Sequence, residues 1–154
     1  MKKTVLLFLF VSLFAFVKAQ SNNEEIELVQ SVFGMEKKAI IAEFVKVDNA
    51  QKDEFWKLYD EYEMKRKELG KTRIELYTQY AENFDKLTNE SAEKWTSEVM
   101  KLASQTDKLV NTYSKKVAKL TNPVVGLQFY QIEWYILSGI RVSILEELPL
   151  PDMK

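Results

Sequence analysis

Apolar side chains recur at steps of three and four residues through most of the chain after residue 24. This is the spacing of residues that share one face of an α-helix. No stretch shows sustained alternation of apolar and polar residues, so the pattern predicts no strands. Glycine and proline, which interrupt helices, number only 4 and 3 in 154 residues. The sequence therefore predicts an all-α fold.

Three short sequences divide this helical pattern. Each places an apolar residue before a side chain whose oxygen can accept a backbone N–H at a helix start. They are Val47-Asp48-Asn49, Leu87-Thr88-Asn89 and Leu120-Thr121-Asn122. Asp48 with Gln51 also fits a loose capping box, and Pro123 suits a first helical turn. The predicted helices cover about residues 24–46, 49–86, 90–119 and 122–147.

The second and third predicted helices carry the clearest seams. The seam of the second helix contains Phe55, Tyr59, Tyr62, Arg66, Leu69, Arg73, Leu76 and Tyr80. The seam of the third contains Ala92, Trp95, Val99, Leu102, Thr106, Leu109, Tyr113, Val117 and Leu120. A 3.5-residue spacing is typical of helices packed along their length, and a short link makes such helices antiparallel neighbours. We therefore expect a long antiparallel helical hairpin with flanking N- and C-terminal helices. Leu148-Pro149-Leu150-Pro151 should be extended, because proline cannot continue a helix.

The fourth predicted helix is apolar on two sides. One stripe contains Val125, Phe129, Ile132, Ile136, Ile140 and Ile144, and the other contains Leu127, Tyr130, Trp134, Leu137 and Leu148. Such a helix is either central in a bundle or shared between subunits. Because a hairpin has little interior, we predict that Leu127, Tyr130, Trp134 and Leu137 form a dimer or partner face. A homodimer is the expected assembly.

Residues 1–19 have the layout of a secretory signal peptide. Lys2 and Lys3 precede an apolar run from Thr4 to Val17, and Val17-Lys18-Ala19 fits a cleavage site before Gln20. The apolar run has 14 residues, whereas about 20 are needed to span a bilayer. We therefore expect cleavage between Ala19 and Gln20, export with the periplasm as the compartment, and no membrane association afterwards.

Composition limits the functional classes to which the protein can belong. Loss of Lys2, Lys3 and Lys18 from 22 basic groups leaves 19 against 23 acidic groups, a net charge of −4. Nucleic-acid binding needs a clustered basic surface, which this balance does not favour. With no cysteine, an exported chain must be stabilised by packing alone. Residues 20–154 are enough for a single all-helical domain with one core.

The residues of common catalytic and metal sites are scarce. The chain contains no histidine and no cysteine, which removes the usual acid–base, thiol and Glu-x-x-His di-iron chemistry. No glycine-rich phosphate loop occurs. We therefore predict that the protein is not an enzyme and that it uses no metal and no cofactor.

Arg66 and Arg73 occupy seam positions that the pattern assigns to apolar side chains. A buried guanidinium without a partner would be very costly. One interpretation is structural pairing, with Glu133, Glu36 or Glu43 as candidate partners, or extension of the charged ends to solvent. The other is a concave client- or partner-binding face, in which arginine charge and aromatic stacking hold unfolded chains. That face would consist of Tyr59, Tyr62, Arg66, Arg73, Tyr77 and Tyr80.

The chain resembles the Spy/CpxP-like periplasmic proteins, whose signature is Leu-Thr-x-x-Gln. The segments that carry the likeness are Val47–Gln51, Phe55–Tyr59, Leu87–Ser91, Leu120–Val124, Phe129–Glu133 and Leu148–Leu150. Leu-Thr is present in two of them and the terminal Gln in one, so the match is that of a divergent branch. The resemblance implies curved helical-hairpin dimers that either bind unfolded envelope proteins without ATP or dock on a stress sensor.

These observations favour an exported, ATP-independent holdase-like chaperone for unfolded envelope proteins. The alternative is an envelope-stress adaptor or scaffolding module that docks one specific protein partner. A third hypothesis, attachment to a membrane surface through the second stripe of the last helix, is disfavoured because the chain is acidic and membrane-surface helices are rich in lysine and arginine.

Overall fold

A computed structural model describes residues 23–151, with side chains from residue 34 onward. Within this range all regular structure is helical, as predicted. The helices are α1 (Asn23–Phe44), α2 (Lys52–Asn83), α3 (Asn89–Leu120) and α4 (Pro123–Glu147), with 3₁₀ turns at Asn49–Gln51 and Phe84–Lys86. The predicted signal peptide and its cleavage site at Ala19 and Gln20 lie outside the described residues.

Two of the three predicted helix starts are capped as expected. The Thr88 side chain accepts a hydrogen bond from the Ser91 backbone N–H, and the Ser91 hydroxyl accepts one from the Thr88 backbone N–H. The Asn122 side chain accepts hydrogen bonds from the N–H groups of Val124 and Val125. These contacts satisfy donors that the first helical turn leaves without partners.

The predicted capping box at Asp48 is wrong. The Asp48 side chain makes no capping hydrogen bond, and a 3₁₀ turn precedes α2 at this point. Gln51 instead donates from Nε2 to the Leu120 carbonyl, 2.9 Å away. The tertiary contact with the end of α3 has replaced the local one, and it joins the start of α2 to the α3–α4 turn.

Short connections make each helix antiparallel to the next. α2 packs along α3, and α3 packs equally along α4, while α1 lies against α2 and α4. The ion pairs of Lys37 with Glu63 and Lys38 with Asp60 show the opposite directions of α1 and α2. The predicted hairpin of α2 and α3 is therefore present. α4 and α1 complete a bundle around it, so the expectation that a hairpin leaves little interior is wrong.

The main core lies in the half of the bundle that contains the α1–α2 and α3–α4 connections, which we call the proximal half. Its buried members are Ile41, Val45, Phe55, Tyr59, Tyr62, Val110, Tyr113, Val117, Val125, Phe129, Ile132, Ile136 and Leu137. The other half, which contains the α2–α3 turn, is the distal half. There Tyr80 donates a hydrogen bond to the Pro149 carbonyl, 2.9 Å away, and this bond holds the extended segment after α4. None of the helices within residues 23–151 is long and apolar enough to cross a membrane.

We predict that Gly126→Ala destabilises the protein by about 1–3 kcal/mol, the usual range for overpacking. A Cβ at Gly126 would lie 2.5 Å from the Ala118 Cβ and 3.0 Å from the Ser114 carbonyl oxygen, so α3 and α4 would have to separate. Urea unfolding followed by circular dichroism measures the change.

Gly139→Ala is the matched control, because it lies in the same helix and a Cβ there meets nothing within 4 Å. It should be neutral or stabilise the helix by up to about 1 kcal/mol. Equal unfolding midpoints for the two variants would show that the α3–α4 contact does not require a glycine at position 126.

Candidate functional site

A network of charged side chains lies inside the bundle where α1, α2 and α4 meet. Lys37 of α1 places its Nζ 2.5 Å from Glu63 Oε1 of α2 and 2.7 Å from Glu133 Oε1 of α4. Arg66 Nε lies 2.9 Å from the same Glu63 oxygen. Two cations and two anions therefore share the interior, and their formal charges cancel. We call Lys37, Glu63, Arg66 and Glu133 the charge tetrad.

The members of the tetrad are buried, so their pairing affects the stability of the fold. Lys37 is 1% exposed and Glu133 is 0% exposed, and Glu63 and Arg66 are also buried. Ionised groups in an apolar interior are tolerated only when they are paired and hydrogen-bonded. Tyr62 supplies a further bond, because its hydroxyl donates to Glu133 Oε2 at 2.6 Å. The Lys37 ammonium also lies 4.9 Å from the centre of the Tyr62 ring.

Two opposing effects act on the Glu63 carboxyl. Burial alone would raise its pKa, but the charges of Lys37 and Arg66, with their hydrogen bonds, outweigh burial and hold the pKa below its ordinary value. For Tyr59 and Tyr62 the effects act together. Burial, followed by the negative charges of Glu63 and Glu133, raises the pKa of both phenols well above the ordinary value.

The structure corrects the predicted client-binding face at four of its six residues, because Tyr59, Tyr62, Arg66 and Tyr80 are buried. Tyr59, Tyr62 and Arg66 are buried in the proximal half, where no client chain has access. Tyr62 packs edge-on against Phe129 with ring centres 5.3 Å apart, and against Tyr113 at 5.4 Å. The prediction failed here because α4 and α1 cover the seam that a hairpin alone would leave open.

Structural pairing is thus the correct interpretation for Arg66, although with a different partner. Its Nε donates to Glu63, whereas Glu133 lies against Lys37, and Glu36 and Glu43 are exposed. Sequence reasoning missed Lys37. The available signal was its position between Ile40 and Phe33, where the apolar spacing of α1 continues but a lysine stands.

The other three predicted residues lie together in the distal half. Arg73 and Tyr77 are half-buried on α2, and Tyr80, one turn further, is buried. Trp95 of α3 packs against both tyrosines, with ring centres 5.4 Å from Tyr77 and 4.5 Å from Tyr80. We call Arg73, Tyr77, Tyr80 and Trp95 the distal arginine–aromatic site.

Arg73 differs from Arg66 in its partners. Its Nη2 donates to the Thr106 hydroxyl at 3.2 Å, and no carboxylate among the residues with described side chains lies within ion-pair distance. Burial lowers the pKa of Arg73. Tyr77 and Asp107 act to raise it, and the charges of Arg141 and Arg66 act to lower it. The guanidinium is half-buried with a hydroxyl as its hydrogen-bond partner, which favours the approach of an anionic group.

The predicted dimer or partner face is divided by the structure. Leu127 and Tyr130 are exposed on the outer side of α4, Trp134 is half-buried, and Leu137 is buried in the core. Leu137 therefore cannot belong to a surface in this structure, because α4 turns it towards the interior. The exposed remainder still forms part of an apolar outer face, so the dimer stays a prediction.

No group of three or more acidic side chains in the described part of the chain could hold a metal ion. Comparison with family models, with curated proteins and with solved structures finds no match. Any function must therefore be argued from the geometry of the tetrad, the distal site and the outer face of α4.

We predict that Lys37→Met lowers the free energy of unfolding by about 3–5 kcal/mol, the usual cost of removing one partner of a buried ion pair. Glu63 and Glu133 would then share the interior with Arg66 alone, leaving an excess negative charge. Urea unfolding at neutral pH provides the measurement.

Lys38→Met is the matched control, since its ion pair with Asp60 is exposed at the neighbouring position of α1. Exposed pairs contribute about 0–1 kcal/mol, so the control should unfold almost like the parent. A Lys37 variant that matched the control would mean that the tetrad carries no net stability.

Stability should fall at both ends of the pH scale. Because the folded-state pKa of Glu63 is lowered, its contribution is present above the unfolded value of about 4.3 and is lost as pH falls through the folded value. Because the pKa values of Tyr59 and Tyr62 are raised, their contribution is present below about pH 10 and is lost above it.

Unfolding free energies measured at intervals from pH 2 to 11 would test both limbs. In Glu63→Gln the acid limb should be shallower, and in Tyr59→Phe the alkaline limb should be shallower. Unchanged slopes in both variants would contradict the assignment of these groups.

Proposed function

We propose that the protein is an exported, ATP-independent holdase-like chaperone that binds unfolded envelope proteins at the distal arginine–aromatic site. The proposal keeps Arg73 and Tyr77 from the face that the sequence predicts and adds Trp95, which packs on the buried Tyr80 ring. Export rests on the signal-peptide pattern of residues 1–19. The resemblance to Spy/CpxP-like proteins supports the same class.

The observation that carries the proposal is the contrast between the two seam arginines. Arg66 has its carboxylate inside the protein, whereas Arg73 has a hydroxyl and no ion-pair partner among the residues whose side chains are described. A desolvated cation without an anion costs stability. Acidic groups of a bound chain would supply the missing charge, so binding would offset this cost.

The aromatic members suit a client of variable sequence. Half-buried Tyr77 and Trp95 present ring surface at low conformational cost, and their hydrophobic contact needs no fixed sequence in the partner. Arginine beside aromatic rings adds charge and stacking. Such a site suits apolar segments that carry an acidic residue. Folded proteins bury the apolar part of such segments, and unfolded proteins expose it.

Light scattering of a chemically denatured test protein, diluted without ATP, tests the proposal. Purified Gln20–Lys154 should suppress aggregation near stoichiometric ratios. Arg73→Met should need about tenfold more protein for half suppression, the factor expected when one charged hydrogen bond of about 1.4 kcal/mol is lost. The same substitution should leave stability unchanged or raise it, because it removes a desolvated charge.

Arg66→Met is the matched variant on the same helix. It breaks a buried ion pair, so it should destabilise the protein. Lys108→Met, at an exposed position of α3, controls for the loss of one positive charge. The proposal fails if the folded parent does not suppress aggregation, or if Arg73→Met destabilises the protein and leaves suppression intact.

An adaptor for one partner is the second candidate. It is favoured by the well-packed proximal half, where Asn122 caps α4, because a well-packed surface suits one partner better than many. A pull-down from an envelope fraction with Gln20–Lys154 would return one stoichiometric protein in this case, and a broad set of unfolded proteins in the first.

A further inference from the structure

α1 lies in a groove between α2 and α4 and is antiparallel to both, while α3 packs along the same two helices. Among the α1 residues whose side chains are described, Lys37 and Ile41 are buried, and so is Val45 directly after the helix. Met35 and Phe44 are 66% and 56% exposed, so other sides of α1 face solvent. Proteins also bind the helices of other proteins in this way, with one row of side chains in a groove.

The polar groups of the groove have partners on α2 and α4 themselves. Glu63 accepts a hydrogen bond from Arg66 Nε, one turn along α2, at 2.9 Å. Glu133 of α4 accepts one from the Tyr62 hydroxyl of α2 at 2.6 Å. Tyr62 also packs edge-on against Phe129 of α4, with ring centres 5.3 Å apart. None of these contacts involves α1, so the two walls of the groove can stay together when α1 leaves it.

The groove requires one positive charge from its occupant. Without Lys37 it holds the carboxylates of Glu63 and Glu133 and the guanidinium of Arg66, a net charge of −1. Opposite charges attract, so a cation is favoured at this point. The second oxygen of Glu63, Oε2, is buried and has no hydrogen-bond partner among the described side chains. The groove therefore also has an acceptor that Lys37 leaves unused.

The positions of the buried residues fix the direction of the occupant. The aliphatic side chains of Ile41 and Val45 come four and eight residues after the cation, and both belong to the main core cluster. Lys38, next to the cation, meets Asp60 at the exposed rim of the groove. A helix in the reverse direction would carry its aliphatic side chains away from this cluster.

We propose that the groove between α2 and α4 docks an amphipathic helix of a partner protein, and that α1 is the internal occupant which this helix displaces. The partner helix carries a lysine or arginine, with aliphatic residues four and eight positions further on, and it lies antiparallel to α2. The proposal does not rest on the chaperone function, because the distal arginine–aromatic site takes no part in it.

Hydrogen exchange of Gln20–Lys154 under native conditions tests whether α1 opens by itself. The backbone amides of residues 40–44 should exchange through a local opening, at least about tenfold faster than the slowest amides of α2 and α4. Equal exchange rates in the three helices would mean that α1 leaves the groove only when the whole bundle unfolds, and would overturn the proposal.

A labelled synthetic peptide of residues 23–47 is the probe for the groove, with binding followed by fluorescence anisotropy. In the parent chain α1 competes from within at a high effective concentration. Ile41→Asp in the chain removes one buried anchor of α1. This variant should therefore bind the peptide at least about tenfold more tightly than the parent does.

Ala42→Asp is the matched control, because it makes the same change of charge at the neighbouring, exposed position of α1. It should bind the peptide no better than the parent. Equal affinities of the Ile41 and Ala42 variants would overturn the proposal. So would loss of all helical circular dichroism in Ile41→Asp, because the groove has to persist without α1.

Variant peptides test the requirement for a cation, with the Ile41→Asp chain as the receptor. Lys37→Glu in the peptide places an acid against Glu63 and Glu133 and should weaken binding at least about tenfold. Lys38→Glu alters only the exposed pair with Asp60, so it should weaken binding less than about fivefold. Equal affinities of the two variant peptides would show that the groove does not select a buried cation, against the proposal.

Discussion

Lys37 can occupy the interior of this protein only because two carboxylates meet it there. Its partners come from α2 and α4, which are remote in sequence, so the ion pairs form only when three helices are in place. An apolar interior tolerates many sliding arrangements of helices, whereas a buried cation between two anions tolerates one. The tetrad therefore fixes the height of α1 against the rest of the bundle. The four formal charges of the tetrad sum to zero, which allows the charged groups to be buried together.

α3 supplies the second constraint, since it packs along α2 on one side and along α4 on the other. Its approach to α4 is close enough that Gly126 has no room for a side chain against Ala118. Small residues at this contact let Val117, Val125 and their neighbours interdigitate, and the capped turns at Thr88 and Asn122 set where each helix begins. The main core cluster lies in the proximal half, and Arg73 lies in the more sparsely packed distal half.

Much of the fold follows from local sequence. Every predicted seam residue of α2 and α3 is buried or half-buried, because helical periodicity alone decides which side of a helix is apolar. The site was harder to predict. Tyr59 and Tyr62 look like an open surface only while α4 is thought to flank the hairpin, and the pairing of Lys37 with Glu133 depends on a tertiary register that no local pattern encodes. The predicted capping box at Asp48 failed for the same reason, because Gln51 donates to the distant Leu120 carbonyl and not to its own helix start.

The three tryptophans lie in three different parts of the molecule. The Trp56 ring lies 5.0 Å from the Lys38 ammonium at the α1–α2 contact, and Trp95 belongs to the distal site. Trp134 is half-buried on α4 and packs against the core. Their indoles differ in solvent contact and in neighbouring groups, so their emission should differ in wavelength and in quenching. In variants that each retain one tryptophan, intrinsic fluorescence would report on one region at a time. These regions are the α1–α2 contact, the distal half and α4.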